Sequence, residues 1–438
     1  LQTDLALAQN EDPEAAPPTN RDASSEPHPI VKDLNLEVQV VYHGLKNPTS
    51  MEFLGTDDIL VLYKNDGTVR RIINATMMEE PVLDENVANL LERGMLGIAI
   101  VKRDSRPPYV FLYYTQSQED GDDDTHGTPP LGNRLYRYEL VGGKLENQQL
   151  LLDIPANRGA THNGGKILIG PDNNLYLVVG DVAGHKTRSQ NYFNEGSASG
   201  TSVIWKITQD GRSAGSILGR DEPISKFYAY GIRNSFGMDF DPLTGKLWNT
   251  ESGPDHGDEI NLVEPGFNSG WEVVSGFPDE QFDPEKELVK CLYCTPRMFP
   301  LEYWFNAIFF GIKDGKYSDP EFSWNEVVVP TTIKFLNSDK LGKRYANDIF
   351  VGDYLPGNLY HFELNENRDE LVLNSSLADK VSDNSDELEP IIFGQGFGSI
   401  TDIDVGPDGY LYVLTYSKDA VIYRIVPEGT APPVYYPL

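Results

Sequence analysis

The chain has 438 residues, with 36 basic against 67 acidic side chains and a formal net charge of −31. That balance repels phosphate backbones and anionic membrane surfaces, which excludes nucleic-acid binding and electrostatic membrane docking. With 40 Gly, 30 Pro, 23 Tyr and 19 Phe the composition is globular, turn-rich and suited to strands, and no apolar run reaches the roughly 18 residues of a membrane-spanning helix.

Taken in order, Leu5-Ala6-Leu7-Ala8 reads as the end of a signal-peptide apolar region with a small-residue cleavage site. Export to an extracellular, periplasmic or cell-surface location is expected. Residues 1–35 are expected to be this remnant plus a disordered acidic leader, with one domain over 36–428 and a tail over 429–438. Two sequons, at Asn74 and Asn374, are compatible with glycosylation outside the cell. From Val38 onward, short β-branched and aromatic runs alternate with Gly, Asp and Asn, and the one short helix predicted covers Asn86 to Leu91.

A polar turn followed by two apolar strands recurs. The first strands of the copies are Asp58–Tyr63, Tyr109–Tyr114, Leu175–Val179, Lys246–Trp248, Asp348–Asp353 and Tyr410–Leu414. Their partners are Val69–Ile72, Arg134–Tyr138, Val203–Ile207, Glu259–Val263, Gly357–Phe362 and Ala420–Ile425. Six antiparallel pairs predict an all-β, six-bladed β-propeller with long loops between some blades. The acidic run Glu119–Asp124 reads as a solvated loop, without the loop-closing Glu of a Ca²⁺ site. Cys291 and Cys294 are the only cysteines and lie in the longest connection; in an exported protein they are expected to form a local disulfide.

Three segments at predicted blade rims carry chemistry. Thr161-His162-Asn163-Gly164-Gly165-Lys166 places an imidazole on tight backbone where a ligand can approach closely. Tyr230-Gly231-Ile232-Arg233-Asn234 precedes the fourth strand pair, and Glu251-Ser252-Gly253-Pro254-Asp255-His256-Gly257-Asp258-Glu259 lies between its strands. The last offers carboxylates and turn carbonyls, the oxygen ligands of a hard cation such as Ca²⁺.

Together with Arg93-Gly94-Met95-Leu96-Gly97 and Asn268-Ser269-Gly270-Trp271, these segments resemble the soluble glucose dehydrogenase and aldose sugar dehydrogenase family. Its members are six-bladed quinoprotein propellers that use pyrroloquinoline quinone, and the resemblance runs from about Leu36 to Ile425. It implies that His162 is the base that takes the proton of the sugar's anomeric hydroxyl, a task suited to neutral imidazole. It implies that Arg233 steadies the quinone oxygens and that Asn234 contacts the cofactor. The carbonyls of Gly253 and Pro254 correspond to ligands of a Ca²⁺ bridging to the cofactor. Glu259 and the Ser269 carbonyl correspond to a second, structural Ca²⁺ position.

The sequence departs from the family where the cofactor's three carboxylates are held. Leu355, Ser399 and Thr401 stand at positions of a lysine and two arginines, and Glu92 stands for a glutamine. Lys166, Lys313, Lys334 and Arg297 are the cations that offer compensation. Three readings follow: a Ca²⁺- and quinone-dependent oxidation of aldoses to lactones; a non-catalytic extracellular propeller for binding or surface assembly, including a homo-oligomer; and a metal-dependent hydrolase built on Asp255, His256, Asp258 and Glu259.

Overall fold

A computed structural model describes residues 28–124, 128–184, 186–192, 197–278, 282–283, 288–290, 298–300 and 312–433. Cys291, Cys294 and Arg297 lie outside the described residues, and with them the disulfide expectation. The described residues form an all-β propeller fold, with helical structure confined to 3-10 turns of three or four residues. Six sheets hold four to six strands each, and a small three-stranded sheet lies within the longest connection.

Every strand pair read from the sequence is an antiparallel ladder: Asp58–Tyr63 with Thr68–Ile73, Arg106–Gln116 with Gly132–Val141, Leu175–Val179 with Val203–Ile207. The later three are Leu247–Glu251 with Asp258–Val263, Ile349–Asp353 with Leu359–Phe362, and Leu411–Thr415 with Ala420–Pro427. These strands read as unbroken apolar runs because both faces are covered, as in Leu175–Val179, where all five residues are buried. A strand at the near edge of each sheet completes the set: Pro48–Gly55, Met95–Arg103, Ile167–Ile169, Gly237–Phe240, Pro330–Phe335 and Ile400–Val405. These six neighbour one another in that cyclic order, the last returning to the first.

Between neighbouring sheets lie the apolar cores. Phe111 and Leu135 of the second pack against Leu177 and Trp205 of the third, and Trp248 and Phe322 of the fourth against Val351 and Tyr360 of the fifth. The two ends of the chain share the last sheet, where Leu36–Leu45 pairs antiparallel with Ala420–Pro427. The fold begins before Leu36, since Ile30–Val31 adds an edge strand against Ile392–Gln395. Charges occupy the inner strands: Lys334 Nζ lies 2.9 Å from Asp404 and 3.8 Å from Asp239.

Two local expectations are corrected. The segment Asn86 to Leu91 is irregular rather than helical, with one isolated bridge from Val87 to Gln116 and a turn at Leu91. Its N–H groups go elsewhere: Val87 donates to Asp122 at 2.9 Å, Asn89 and Leu90 to Asp124 at 3.1 and 2.8 Å, and Ala88 to the Thr115 carbonyl at 2.9 Å. The acidic run is therefore not simply solvated; Asp124 is buried and also holds Arg93 at 2.5 Å.

Candidate active site

The segments of His162, Asp181 and Arg233 meet at one point. Gly180 is the point of contact: a Cβ there would stand 2.5 Å from both the His162 and the Arg233 carbonyl oxygens, so only glycine lets the two segments meet. The next residue, Asp181, donates its N–H to the Arg233 carbonyl at 2.8 Å, while Val182 donates to that of His162 at 3.3 Å. His162 takes a left-handed backbone with φ of 61°, which turns its ring toward Asp181.

The ring's Nδ1 lies 2.6 Å from Asp181 Oδ1, and the Trp271 indole N–H donates to Asp181 Oδ2 at 2.7 Å. Burial raises the Asp181 carboxyl, but the His162 ring, Arg233 and the indole outweigh it and hold it below its ordinary value. A carboxylate so fixed draws the ring proton to Nδ1 and leaves Nε2 as the basic nitrogen. Glu92 ties the loops from the other side. Its Oε2 accepts the His162 N–H at 2.6 Å and the Asn234 side-chain amide at 3.1 Å. Burial pushes its carboxyl above the ordinary range against the pull of His162, Asn234 and Arg233.

Arg233 is held at both ends. Its backbone N–H donates to Glu251 Oε1 at 2.6 Å, its guanidinium donates to the Ser252 carbonyl at 2.9 Å, and that guanidinium lies 5.3 Å from the Trp271 ring centre. His162, Arg233, Asn234, Glu251 and Trp271 thus form one bonded cluster. Asp181, Glu251 and Trp271 were not assigned roles from the sequence; the signal for Asp181 was the turn ending its strand, which gives no direction to a side chain.

The Gly253-Pro254 turn is pinned by Asp258, whose carboxylate accepts N–H groups from Gly253, Val328 and Val329, each at 2.7 Å. The neighbouring hairpin opposes Glu251 directly to Glu259 and Asn249 to Asn261 across the ladder. Two glutamates in register repel, and burial followed by the Glu259 charge drives Glu251 well above its usual range. Burial chiefly pushes Glu259 up to about 7 and Asp258 to about 6. Ser269 meets this pair through its hydroxyl, which donates to Glu251 at 2.8 Å and to Glu259 at 3.3 Å. Asn249 Oδ1, Ser252 Oγ and Asn261 Oδ1 are buried without hydrogen-bond partners. Among the described residues no group of three or more His, Cys, Asp or Glu side chains converges. Two unneutralised carboxylates with orphaned amide and hydroxyl oxygens nevertheless fit a hard cation. Asp255 is exposed and Asp258 is spent on backbone N–H groups, so the four hydrolase residues do not gather.

A cavity of about 650 Å³ opens beside the cluster, within the size range of a small-ligand site. Glu92, Gly164 beside His162, and Phe236 near Arg233 line it, with Tyr354 and Tyr416. The His162 and Arg233 side chains are not part of its wall, these residues being 7% and 6% exposed. Ser399 and Thr401 do line it, as expected. Leu355 does not; it is 43% exposed and faces a second cavity of about 570 Å³ with Pro356 and Asn358, leaving Tyr354 in the central one. Of the compensating cations, Lys166 lines the cavity, Lys313 is exposed elsewhere and Lys334 belongs to the inner-strand network. Sequence reasoning missed Lys64 and Lys418, which also line it. The wall sets three lysines against Glu92 and Asp402, with Lys166 paired to Asp402, so a cavity of this size keeps cations that fit a carboxylated aromatic ligand such as the quinone.

The glucose/sorbosone dehydrogenase family model matches residues 45–287 and 298–424. The chain belongs to that family. Glucose/sorbosone dehydrogenase relatives include the aldose sugar dehydrogenase YliI of Escherichia coli, 23% identical over 409 residues that cover 90% of this chain and 94% of the relative. The quinoprotein glucose dehydrogenase B of Acinetobacter calcoaceticus is 25% identical over 273 residues, covering 57% of this chain and 55% of that one. The fold is shared with the PQQ-bound aldose sugar dehydrogenase of Streptomyces coelicolor, at a TM-score of 0.61 and 21% identity, covering 91% of this chain and all of that structure. No described helix of the chain is long and apolar enough to cross a membrane.

Proposed function

We propose that the six sheets are the blades of a six-bladed propeller whose central cavity oxidises aldose sugars to lactones with pyrroloquinoline quinone and Ca²⁺. The observation that carries this reading is the His162–Asp181 pair, 2.6 Å apart and fastened to Glu92 in the cavity wall. Asp181 orients the ring; His162 Nε2 receives the proton of the anomeric hydroxyl as the sugar enters on the Gly164 side. Arg233, immobilised by Glu251 and Ser252, supplies fixed positive charge where negative charge develops. When bound, the quinone supplies the two-electron acceptor. The Gly253 and Pro254 carbonyls would hold one Ca²⁺, and Glu259 and the Ser269 carbonyl, with Glu251 opposite Glu259, would hold the second. Export and glycosylation belong to the same reading, and Asn74 and Asn374 are both exposed.

A non-catalytic binding module is the second reading, favoured by Ser399 and Thr401 in the cavity wall where the family places arginines. Reconstitution separates the two. Protein incubated with pyrroloquinoline quinone and Ca²⁺ is expected to reduce an artificial dye when aldoses are added, with omission of either component removing the activity. Cofactor binding without reduction by any aldose would favour the binding module, and absence of cofactor binding would end the dehydrogenase reading.

A further inference from the structure

The cations in the cavity wall are not equivalent. Lys166 is already paired, its Nζ lying 2.7 Å from Asp402. Lys418 is exposed and its charge is screened by solvent. Lys64 is buried at 7% exposure, and among the described residues no carboxylate lies within ion-pair distance of it. Its ammonium donates to Asn65 Oδ1 at 2.8 Å and to the Asn89 carbonyl at 3.2 Å, which uses two of its three N–H donors on neutral acceptors.

The stem is fixed as well. Gly94 comes so close that a Cβ there would stand 2.6 Å from Lys64 Cγ and 2.4 Å from its carbonyl oxygen, and Met95 donates its N–H to that carbonyl at 3.0 Å. The nearby acids are engaged elsewhere: Asp124 with Arg93, and Glu92 with the His162 and Asn234 N–H groups. Burial lowers the Lys64 ammonium to about 8 despite Glu92 and Asp124. An immobilised, desolvated ammonium in a cavity wall carries a solvation penalty that an anionic ligand removes. In a protein of net charge −31 such a position is the local cation an anion requires.

We infer that Lys64 receives a carboxylate of the ligand in the central cavity, so that the anion is anchored from the first sheet rather than at Ser399, Thr401 and Leu355. The inference deepens the quinone reading and rests on it for the ligand's identity. Isothermal titration of the Ca²⁺-loaded full chain tests both, with pyrroloquinoline quinone and with benzene-1,3,5-tricarboxylate as a redox-inert probe.

Lys64→Met is expected to weaken quinone binding about 10- to 100-fold, the worth of one charge-assisted hydrogen bond, while Lys64→Arg retains it within a few-fold. Quinone binding unchanged in Lys64→Met would overturn the inference and leave the cofactor reading standing. Lys64-dependent binding of the tricarboxylate without quinone binding would support the inference and remove the quinone. Binding of neither probe would overturn both. Should Lys64→Met fail to fold, amine acetylation of the wild-type protein followed by mass spectrometry reads the same contact. Saturating ligand is expected to slow Lys64 modification at least about tenfold, and an unchanged rate would overturn the inference.

Discussion

At the scale of single residues, the proposed mechanism divides labour within the His162–Asp181 pair, 2.6 Å apart, between a group that exchanges a proton and one that orients it. Asp181→Asn removes the charge that draws the ring proton to Nδ1 and leaves Nε2 protonated in part of the population. The variant is expected to lower kcat for aldose-dependent dye reduction by about 100-fold or more, with KM changed little, because the wrong tautomer cannot accept a proton. A KM-only effect would show that Asp181 merely shapes the cavity. His162 and Arg233 are marked in the sequence by short motifs whose resemblance to the family implies their roles. Asp181 and Lys64 were not, because their roles depend on which side chain faces which loop. Leu355 was misplaced for the same reason: counting along the chain located the segment, but the turn directs Leu355 to the second cavity and Tyr354 to the central one.

At the scale of elements, the hairpin of Leu247–Glu251 and Asp258–Val263 holds a conflict between carboxylates that a proton or a bound cation relieves. Its register sets Glu251 against Glu259, and Asp258 is buried beside them. All three carboxyls are raised in the folded chain. Raised acids favour the folded state when protonated. Their contribution is therefore present at low pH and lost as pH rises from the ordinary carboxyl range, about 4, through the folded values of about 6 and 7. In chelator, Tm is expected to fall across that interval. Ca²⁺ at a hundredfold excess over its Kd is expected to raise Tm by about 3 °C at pH 7 and by less at pH 4.5, where protons compete. Thermal unfolding followed by circular dichroism checks this, and equal gains at both pH values would place the ion elsewhere. The strand pairs were legible because apolar runs covered on both faces are unbroken. Four of the six near-edge strands escaped because Glu52, Asp239, Lys334 and Asp404 interrupt them with charge. Asn86 to Leu91 misled because its helical pattern says nothing of Asp122 and Asp124, about 35 positions away, which take its N–H groups.

At the scale of the whole molecule, the ring closes when Leu36–Leu45 pairs with Ala420–Pro427; Lys64, Glu92 and Ser399 then share one cavity wall, with His162 and Asn234 bonded to Glu92 behind it. No segment of the chain builds this site alone, which is why repeat counting reached the fold while the cavity's cation arrangement needed the closed ring. The net charge of −31 is a solubility term over most of the surface; in the cavity wall, where Lys166 is paired with Asp402, Lys64 is the buried cation without an ion-pair partner among the described residues. The central claim is that this cavity passes the hydrogen of an aldose to a bound quinone with His162 as the base. Anaerobic stopped-flow absorbance of the cofactor, mixing the reconstituted protein with glucose and a panel of other aldoses, tests it directly. The account predicts rapid loss of the oxidised cofactor's absorbance in the wild-type protein and a rate lower by about 100- to 10,000-fold in His162→Ala, with cofactor affinity retained. A wild-type cofactor that stays oxidised with every aldose, or a His162→Ala protein reduced at the wild-type rate, would contradict it.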